Sequence, residues 1–186
     1  MLCLDKELWP WAVALWLAQS LLVAMLWWRG VVTTRGVIVV AVLMRLAVAW
    51  LPPSLSDDAY RYLWDGLVTT GGQSPYVLTP VEDGATAATP AGAIALEKMN
   101  SPRYYSVYPP ISQGVFAVGG AAARLTGSAL VGLFAIKLVV ASAELVGLLL
   151  LARLVEARAL LLYAWQPLVI FETAGQGHTE ALVVPL

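Results

Sequence analysis

The chain has 186 residues, of which 60% are hydrophobic and 12% charged, with a mean hydropathy of +0.76 and a net charge of −1. Soluble domains are about 45–50% apolar and about 25% charged, so this composition excludes an ordinary water-soluble domain and indicates lipid as the solvent. The near-zero net charge gives no basis for a nucleic-acid partner, and a single cysteine, Cys3, excludes a disulfide framework.

The first two apolar segments are predicted to be membrane-spanning helices, at residues 8–28 and 36–51. The first would cover about 30 Å as a helix, which is the thickness of the hydrocarbon core. A short basic turn that ends at Arg35 joins the two segments, and Pro52-Pro53 stops the second helix. Both segments therefore suit a membrane bundle.

Residues 52–110 differ from their surroundings, because they collect Gly, Pro, Ser, Thr, Tyr and most of the acidic residues. Loops of this length are either functional or disordered, and disordered segments are poor in aromatic residues, so the tyrosines and Trp64 favour function. Ser56 resembles a helix N-cap with acids in the first turn, which predicts a short interfacial helix over Asp57–Val68.

The second half of the chain contains further apolar segments. Residues 111–125 are too short to span and predict an interfacial or re-entrant segment, whereas 129–151 and 159–173 predict spans, the latter kinked at Pro167. A helix cannot end part-way through a bilayer with unsatisfied backbone groups, so the apolar run at 181–186 predicts the N-terminal fragment of a longer protein. The fold class expected is all-α, a polytopic transmembrane helix bundle forming a single membrane domain over residues 1–186.

Short loops that carry basic residues face the cytoplasm. Two such turns are marked by Arg29, Arg35, Arg153 and Arg158. Placing both inside puts residues 52–110 on the outer face and requires that residues 111–125 do not cross the membrane.

The adjacent acids Asp57 and Asp58 follow directly after the second predicted span. Such a pair can cap a helix, bind a metal or act as a general base. Arg61 lies one turn on from each acid and could pair with either, and Asp65 continues the same face. The pattern therefore leaves a capping role and a chemical role open.

Charged residues within apolar segments mark functional sites by default, because they are costly in lipid. Arg45 is either such a site or a side chain that snorkels to the outer interface. Lys137 and Glu144 lie two turns apart on one helix face, where they could neutralise each other or Lys137 could meet a phosphate. His178, the only histidine, lies beside glycines after the kinked helix and is a further candidate.

Three blocks resemble one family by their order and spacing. They are SDDAYRYLWDGLVTTGGQSPY (Ser56–Tyr76), YSVYPPISQGVFAV (Tyr105–Val118) and RALLLYAWQPLVIFETAGQGHTEAL (Arg158–Leu182). Together they resemble bacterial membrane glycosyltransferases of the GT-C superfamily, especially the mannosyltransferases that depend on polyprenol-phosphate-mannose.

The resemblance implies a multi-pass enzyme of the bacterial cell membrane. Its partners would be a lipid-linked sugar donor, from which a hexose such as mannose is taken, and a glycan or lipid acceptor on the outer face. Asp57 is then the expected base, with Asp58 either orienting it or sharing its role. Arg45, Arg61 and Lys137 are the candidate cations for the donor phosphate.

The remaining site predictions concern substrate contacts and cofactors. The residues expected at the substrate are Tyr60, Tyr62, Trp64, Tyr108, His178 and Glu180. No cofactor is implied with certainty, and the polyprenyl-phosphate sugar is expected as the donor substrate. A divalent cation could join the acids, although one close pair of carboxylates is too few ligands to specify a metal site.

Two other functions also fit the composition. A transporter could use Arg45, Lys137 and Glu144 along a pathway, with a broken helix around its substrate. It would leave the long outer loop with paired acids unexplained. A non-catalytic membrane subunit is the third possibility.

Overall fold

The structure is a computed structural model that describes residues 9–182, and its regular elements within that range are all helical. The predicted start of the first span at Leu8 and the end of the last apolar run, 183–186, lie outside the described residues. The all-α prediction is therefore confirmed for the part of the chain that the structure describes. The chain divides into two compact units, one of residues 52–139 and one that combines residues before 52 with residues after 139.

The helices follow one another along the chain without long gaps outside the polar loop. They are α1 (Trp9–Arg29), α2 (Thr34–Ala49), α3 (Asp58–Thr70), α4 (Gly84–Ala87), α5 (Pro90–Lys98), α6 (Pro110–Thr126), α7 (Ala129–Leu151), α8 (Ala157–Ala164) and α9 (Pro167–Ile170), followed by a π-helical turn (Phe171–Gly175) and a 3₁₀ turn (Thr179–Leu182). Among the described residues, α7 alone is long and apolar enough to cross a membrane, and α1 holds a shorter apolar stretch, Val13–Arg29. A bundle of several spans stays a prediction.

Two predicted segments have different boundaries in the structure. Helix α2 begins at Thr34, two residues earlier than predicted, because the Thr33 hydroxyl caps it by accepting the Gly36 N–H at 3.2 Å. Arg35 therefore lies within α2 and not in the connecting turn.

The segment 159–173, predicted as one kinked span, is broken into separate pieces. Helix α8 ends at Ala164, Gln166 is extended, and α9 starts at Pro167. Proline has no N–H to donate and disfavours a helical conformation in the residue before it, so the break falls directly before Pro167. At 1.5 Å per residue, α8 covers only about 12 Å.

Two glycines let α3 and α6 approach closely in the first unit. A Cβ added to Gly66 would lie 1.9 Å from the Phe116 carbonyl oxygen, and one added to Gly120 would lie 2.1 Å from the Gly66 carbonyl oxygen. Backbones that touch in this way leave no room for any side chain at either position. The segment 111–125, predicted to be interfacial or re-entrant, therefore forms helix α6, which runs over Pro110–Thr126 and packs along α3.

An aromatic cluster extends this contact. Tyr62 stacks on Phe116 with 4.6 Å between ring centroids, and Tyr108 packs edge-on against both rings at 5.1 and 5.3 Å. These arrangements are the favoured geometries for aromatic pairs. They hold the end of the polar loop against α3 and α6.

The second unit packs α1, α2 and α8 around an apolar core. Its buried members are Val23, Val37, Ala41, Leu148, Leu160, Leu161 and Ala164. Backbone groups at the break before Pro167 find side-chain partners: Gln19 Nε2 donates to the Trp165 carbonyl at 2.8 Å. Trp165 Nε1 in turn donates to the Val37 carbonyl at 3.0 Å. The carbonyl of Trp165, which the break leaves without a helical partner, thus accepts its hydrogen bond from within the protein.

Candidate functional site

The two acids at the start of α3 have different surroundings. Asp58 is held on both sides, since its Oδ2 accepts from Ser56 Oγ at 2.8 Å and its Oδ1 accepts from Asn100 Nδ2 at 3.0 Å. The half-buried Asp57 is the N-cap residue, but its carboxylate caps no N–H and has no hydrogen-bond partner among residues 9–182. Asp58 is therefore held in place, whereas the carboxylate of Asp57 is available for another contact, and the catalytic roles of both acids stay predictions.

The predicted helix at the acids is confirmed, with modified ends. It runs over Asp58–Thr70 instead of Asp57–Val68, and its N-cap residue is Asp57, not Ser56. Ser56 still contributes, because its hydroxyl accepts the Asp58 N–H at 3.2 Å.

Arg61 pairs with Asp65 and with neither of the acids at the helix start, contrary to expectation. Its Nε donates to Asp65 Oδ1 at 2.9 Å, and both side chains are buried. Its Nη1 donates to the carbonyls of Ser101 and Tyr104 at 2.9 and 2.8 Å. The guanidinium therefore ties the returning loop to α3, and a role in phosphate binding stays a prediction that these contacts do not favour.

Asp65 completes this polar cluster. Its Oδ2 accepts from Ser106 Oγ and, at 3.0 Å, from Gln113 Nε2. A buried carboxylate with an arginine and two donors has its charge compensated in place. Asp65 thus belongs to the architecture of the first unit.

The aromatic residues predicted at the substrate occupy different environments. Trp64 and Tyr62 are buried in the core at 2% and 5% exposure, so their faces are covered. Tyr108 is half-buried, and burial followed by the nearby charge of Asp58 raises the pKa of its phenol above 10.0. Tyr108 therefore has a neutral hydroxyl within the electrostatic reach of Asp58, whereas Trp64 is a core residue.

In the second unit, Arg45 and Glu144 form a buried ion pair, at 1% and 0% exposure. Arg45 Nη2 donates to Glu144 Oε1 at 2.8 Å, Nε donates to the other carboxylate oxygen, and Nη1 donates to the Ala41 and Ala164 carbonyls. The expectation that Lys137 neutralises Glu144 is therefore wrong, as is that of a snorkelling Arg45. Lys137 is itself buried, at 1% exposure.

His178 and Glu172 form a second polar pair in this unit. His178 Nδ1 contacts the Glu172 carboxylate, and the His178 N–H donates to the Glu172 carbonyl at 3.0 Å. Gly177, with a φ of +76°, lets the chain turn back at this point. Glu180 is exposed in the following 3₁₀ turn. The roles of His178 and Glu180 at the substrate remain predictions.

Sequence reasoning missed several residues of these sites. They are Ser56 as a partner of Asp58, Asn100, Ser106 and Gln113. Asn100 and Asp58 lie far apart in sequence, and no periodic pattern links them. Within residues 9–182, no group of three or more His, Cys, Asp or Glu side chains could hold a metal ion, and the predicted divalent cation stays untested.

The described residues thus combine one apolar helix of membrane-spanning length, α7, with an acid pair at the start of α3. The family described as alpha-(1->6)-mannopyranosyltransferase, N-terminal domain, matches residues 5–186, and the chain belongs to this family. No curated protein and no solved structure matches the chain.

Family membership confirms the resemblance to mannosyltransferases and makes the chain a glycosyltransferase domain, with a sugar donor and an acceptor as its substrates. It favours glycosyl transfer over the transporter and the non-catalytic subunit. The apolar helix α7 is compatible with a location in a membrane.

Proposed function

We propose that this chain is a GT-C type enzyme that transfers mannose from a polyprenyl-phosphate carrier to an acceptor hydroxyl on the outer face of the bacterial membrane, in an α-(1→6) linkage. The observation that carries the proposal is the inequality of the two acids: Asp57 has an unengaged carboxylate, and Asp58 is fixed by Ser56 and Asn100.

The reaction is a displacement at the anomeric carbon of mannose. As the acceptor oxygen bonds to the anomeric carbon, Asp57 takes the proton of the acceptor hydroxyl. The bond from that carbon to the phosphate oxygen breaks, and the carrier phosphate leaves with the electron pair. The sugar gains oxocarbenium character. The half-buried phenol of Tyr108 lies within the electrostatic reach of Asp58, and we assign to it a contact with a sugar hydroxyl.

The proposed topology places the acid pair at the outer surface. The basic residues near residues 29–35 and 153–158 favour the cytoplasm for both of those connections. With α7 crossing the membrane, residues 52–110 then lie outside, where the carrier's sugar would be presented. The isoprenoid tail of the donor lies in lipid, so the membrane supplies part of the donor affinity.

The direct test measures initial rates of mannose transfer with the full-length protein in membranes and a polyprenyl-phosphate-mannose donor. Asp57→Asn should lower kcat by about 10²–10⁴-fold, the usual contribution of a general base. Asp58→Asn should lower kcat less, because Asp58 is not the proposed base and its carboxylate is already engaged by Ser56 and Asn100. Glu97→Gln is the matched control, since Glu97 is exposed on α5 and has no ion pair within the described residues.

Wild-type rates in Asp57→Asn, with normal abundance in the membrane, would overturn the assigned base. The transporter alternative keeps one argument, since the buried Arg45–Glu144 pair and the broken helix at Pro167 are both features it predicts. Solute flux that is lost in Glu144→Gln while transfer persists would support that alternative.

A further inference from the structure

A cavity of about 360 Å³ lies in the first unit, between α3, the end of α5 and the start of α7. Its volume falls within the range of about 300–1,000 Å³ that is typical of small-molecule sites. The polar groups on its wall come from Tyr60, Lys98 and the backbone of residues 127–130, and its apolar part comes from Ile94, Leu130 and Leu133.

The start of α7 offers hydrogen-bond donors to this cavity. The Ser128 carbonyl accepts from Gly132 and the Ser128 hydroxyl accepts from Val131 N–H at 3.4 Å. The N–H groups of Ala129 and Leu130 precede these positions, and N–H groups of a first turn have no acceptor within their own helix. An anion is the ligand that the N-terminus of a 23-residue helix favours.

Tyr60 gives an independent indication of a ligand. Its side chain is 2% exposed and lines the cavity, yet its hydroxyl has no hydrogen-bond partner among residues 9–182. Burial, and then the charge of Asp57, raises the pKa of this phenol above 10.0. The hydroxyl is therefore protonated at neutral pH and can donate to an anion, and it lies within the electrostatic reach of the proposed base.

Lys98 supplies the positive charge. Its Nζ lies 5.6 Å from the centroid of the Tyr60 ring and has no carboxylate partner in the described part of the chain. Arg61 and Arg45, in contrast, are neutralised by Asp65 and Glu144. Among these three cations, Lys98 is the one whose charge is available to a ligand.

We propose that this cavity binds the phosphate of the lipid carrier, through the Lys98 ammonium, the Tyr60 hydroxyl and the first N–H groups of α7. The proposal rests on the proposed function, and it assigns to Lys98 the role that the sequence suggested for Arg45, Arg61 and Lys137. The exposed Leu130 and Ile94 flank the polar groups, which suits the first isoprene unit of a lipid more than a free anion.

The charge on the phosphate explains what this site contributes to the reaction. The donor phosphate is a diester with one negative charge, and the departing monoester carries about −1.5 to −2 at pH 7. A fixed cation and oriented N–H groups therefore bind the leaving group more strongly than the donor and stabilise its departure.

The test measures binding to the full-length protein in nanodiscs, with polyprenyl phosphate, polyprenol and inorganic phosphate as three separate probes. Lys98→Met should weaken polyprenyl phosphate at least about tenfold and leave polyprenol unchanged, because a hydrogen bond to a charged group contributes that much affinity. Tyr60→Phe, which removes the hydroxyl and keeps the ring, should weaken the binding of polyprenyl phosphate about threefold or more. Arg103→Met is the control, since it removes an exposed cation of the same loop.

Equal affinities for polyprenyl phosphate in wild type, Lys98→Met and Tyr60→Phe would overturn the site. Inorganic phosphate that binds as tightly as polyprenyl phosphate, with the same dependence on Lys98, would overturn the carrier as its ligand. A wild-type protein that transfers no mannose but binds polyprenyl phosphate through Lys98 would refute the proposed function and leave the site standing. If the wild type transfers mannose, but the binding of polyprenyl phosphate is insensitive to Lys98→Met and to Tyr60→Phe, the site is refuted and the proposed function stands.

Discussion

Within residues 9–182, each unit contains one buried arginine–carboxylate pair, and the two pairs have different structural roles. In the first unit, Arg61 and Asp65 lie one turn apart on α3, and their remaining hydrogen bonds reach residues 101–113 of the polar loop and α6. In the second unit, Arg45 joins α2 to Glu144 of α7 and to the carbonyl of Ala164 at the end of α8. One pair orders a loop around a site, and the other joins helices.

Some charged residues of the two units lie in buried ion pairs, whereas others have no ion-pair partner among the described residues. In each buried pair the carboxylate compensates the charge of the arginine, although Nη2 of Arg61 is buried and has no hydrogen-bond partner within the described residues. Asp57 and Lys98 differ, since each is only half-buried and neither has an ion-pair partner within the described residues. The first unit therefore holds the two charged groups on which both proposals rest, whereas Arg45 and Glu144 compensate each other in the second unit.

Removing one member of the interhelical pair should have the largest effect on stability. Glu144→Ala leaves the Arg45 guanidinium buried and uncompensated, which we expect to cost about 3–5 kcal/mol in the free energy of unfolding. Thermal unfolding of the purified protein in detergent measures the loss. The double variant Arg45→Met, Glu144→Leu should recover much of it, because no buried charge then remains.

The exposed pair Arg158–Glu156 is the matched control for this prediction. Its side chains are 58% and 78% exposed, and pairs at the surface contribute about 0–1 kcal/mol. Glu156→Ala should therefore change the unfolding temperature little. If Glu144→Ala and Glu156→Ala lower the unfolding temperature equally, the interhelical pair contributes no more to stability than the exposed pair.

Breaking the pair in the first unit should cost less. In Asp65→Asn, Arg61 loses its counter-ion but keeps the carbonyls of Ser101 and Tyr104, so we expect about 2–3 kcal/mol. Hydrogen exchange should accelerate mainly in residues 99–106, which Arg61 ties down. A loss of protection in the second unit instead would contradict the assignment of this pair to the loop.

Two glycines of α6 should respond to the same substitution with opposite changes in the free energy of unfolding, and both changes should be smaller than those above. Gly120→Ala forces a methyl group against the Gly66 backbone and should destabilise by about 1–3 kcal/mol. Gly114→Ala meets nothing within 4 Å and should stabilise the helix by up to about 1 kcal/mol. Chemical unfolding of both variants tests the pair, and the same sign for both would argue against the close approach of α3 and α6.

The sequence predicted what depends on neighbours along the chain and missed what depends on distant ones. Apolar runs located α1, α2, α6 and α7, and the acids at positions 57 and 58 marked the start of α3. They did not predict α4 and α5, or the break before Pro167. Charge partners were predicted from spacing, so Glu144 was matched with Lys137 on its own helix. In the structure its partner lies 99 residues away, at Arg45, and the orienting Asn100 lies 42 residues from Asp58. Tertiary packing alone brings these groups together.

The smallest expected effect concerns Glu82, in the polar loop of the first unit. Its carboxylate accepts from the Thr79 N–H at 2.9 Å and from the Thr79 hydroxyl at 2.7 Å, and these bonds lower the pKa of Glu82 below 4.5. A group whose pKa is lower when folded stabilises the fold above its unfolded pKa, and this stabilisation is lost as the pH falls through the folded pKa. The amide of Thr79 should therefore lose protection from hydrogen exchange below about pH 4.5, beyond the intrinsic pH dependence of exchange. Glu82→Gln, which cannot ionise, should remove that loss, and an unchanged pH profile in this variant would assign the transition to another group.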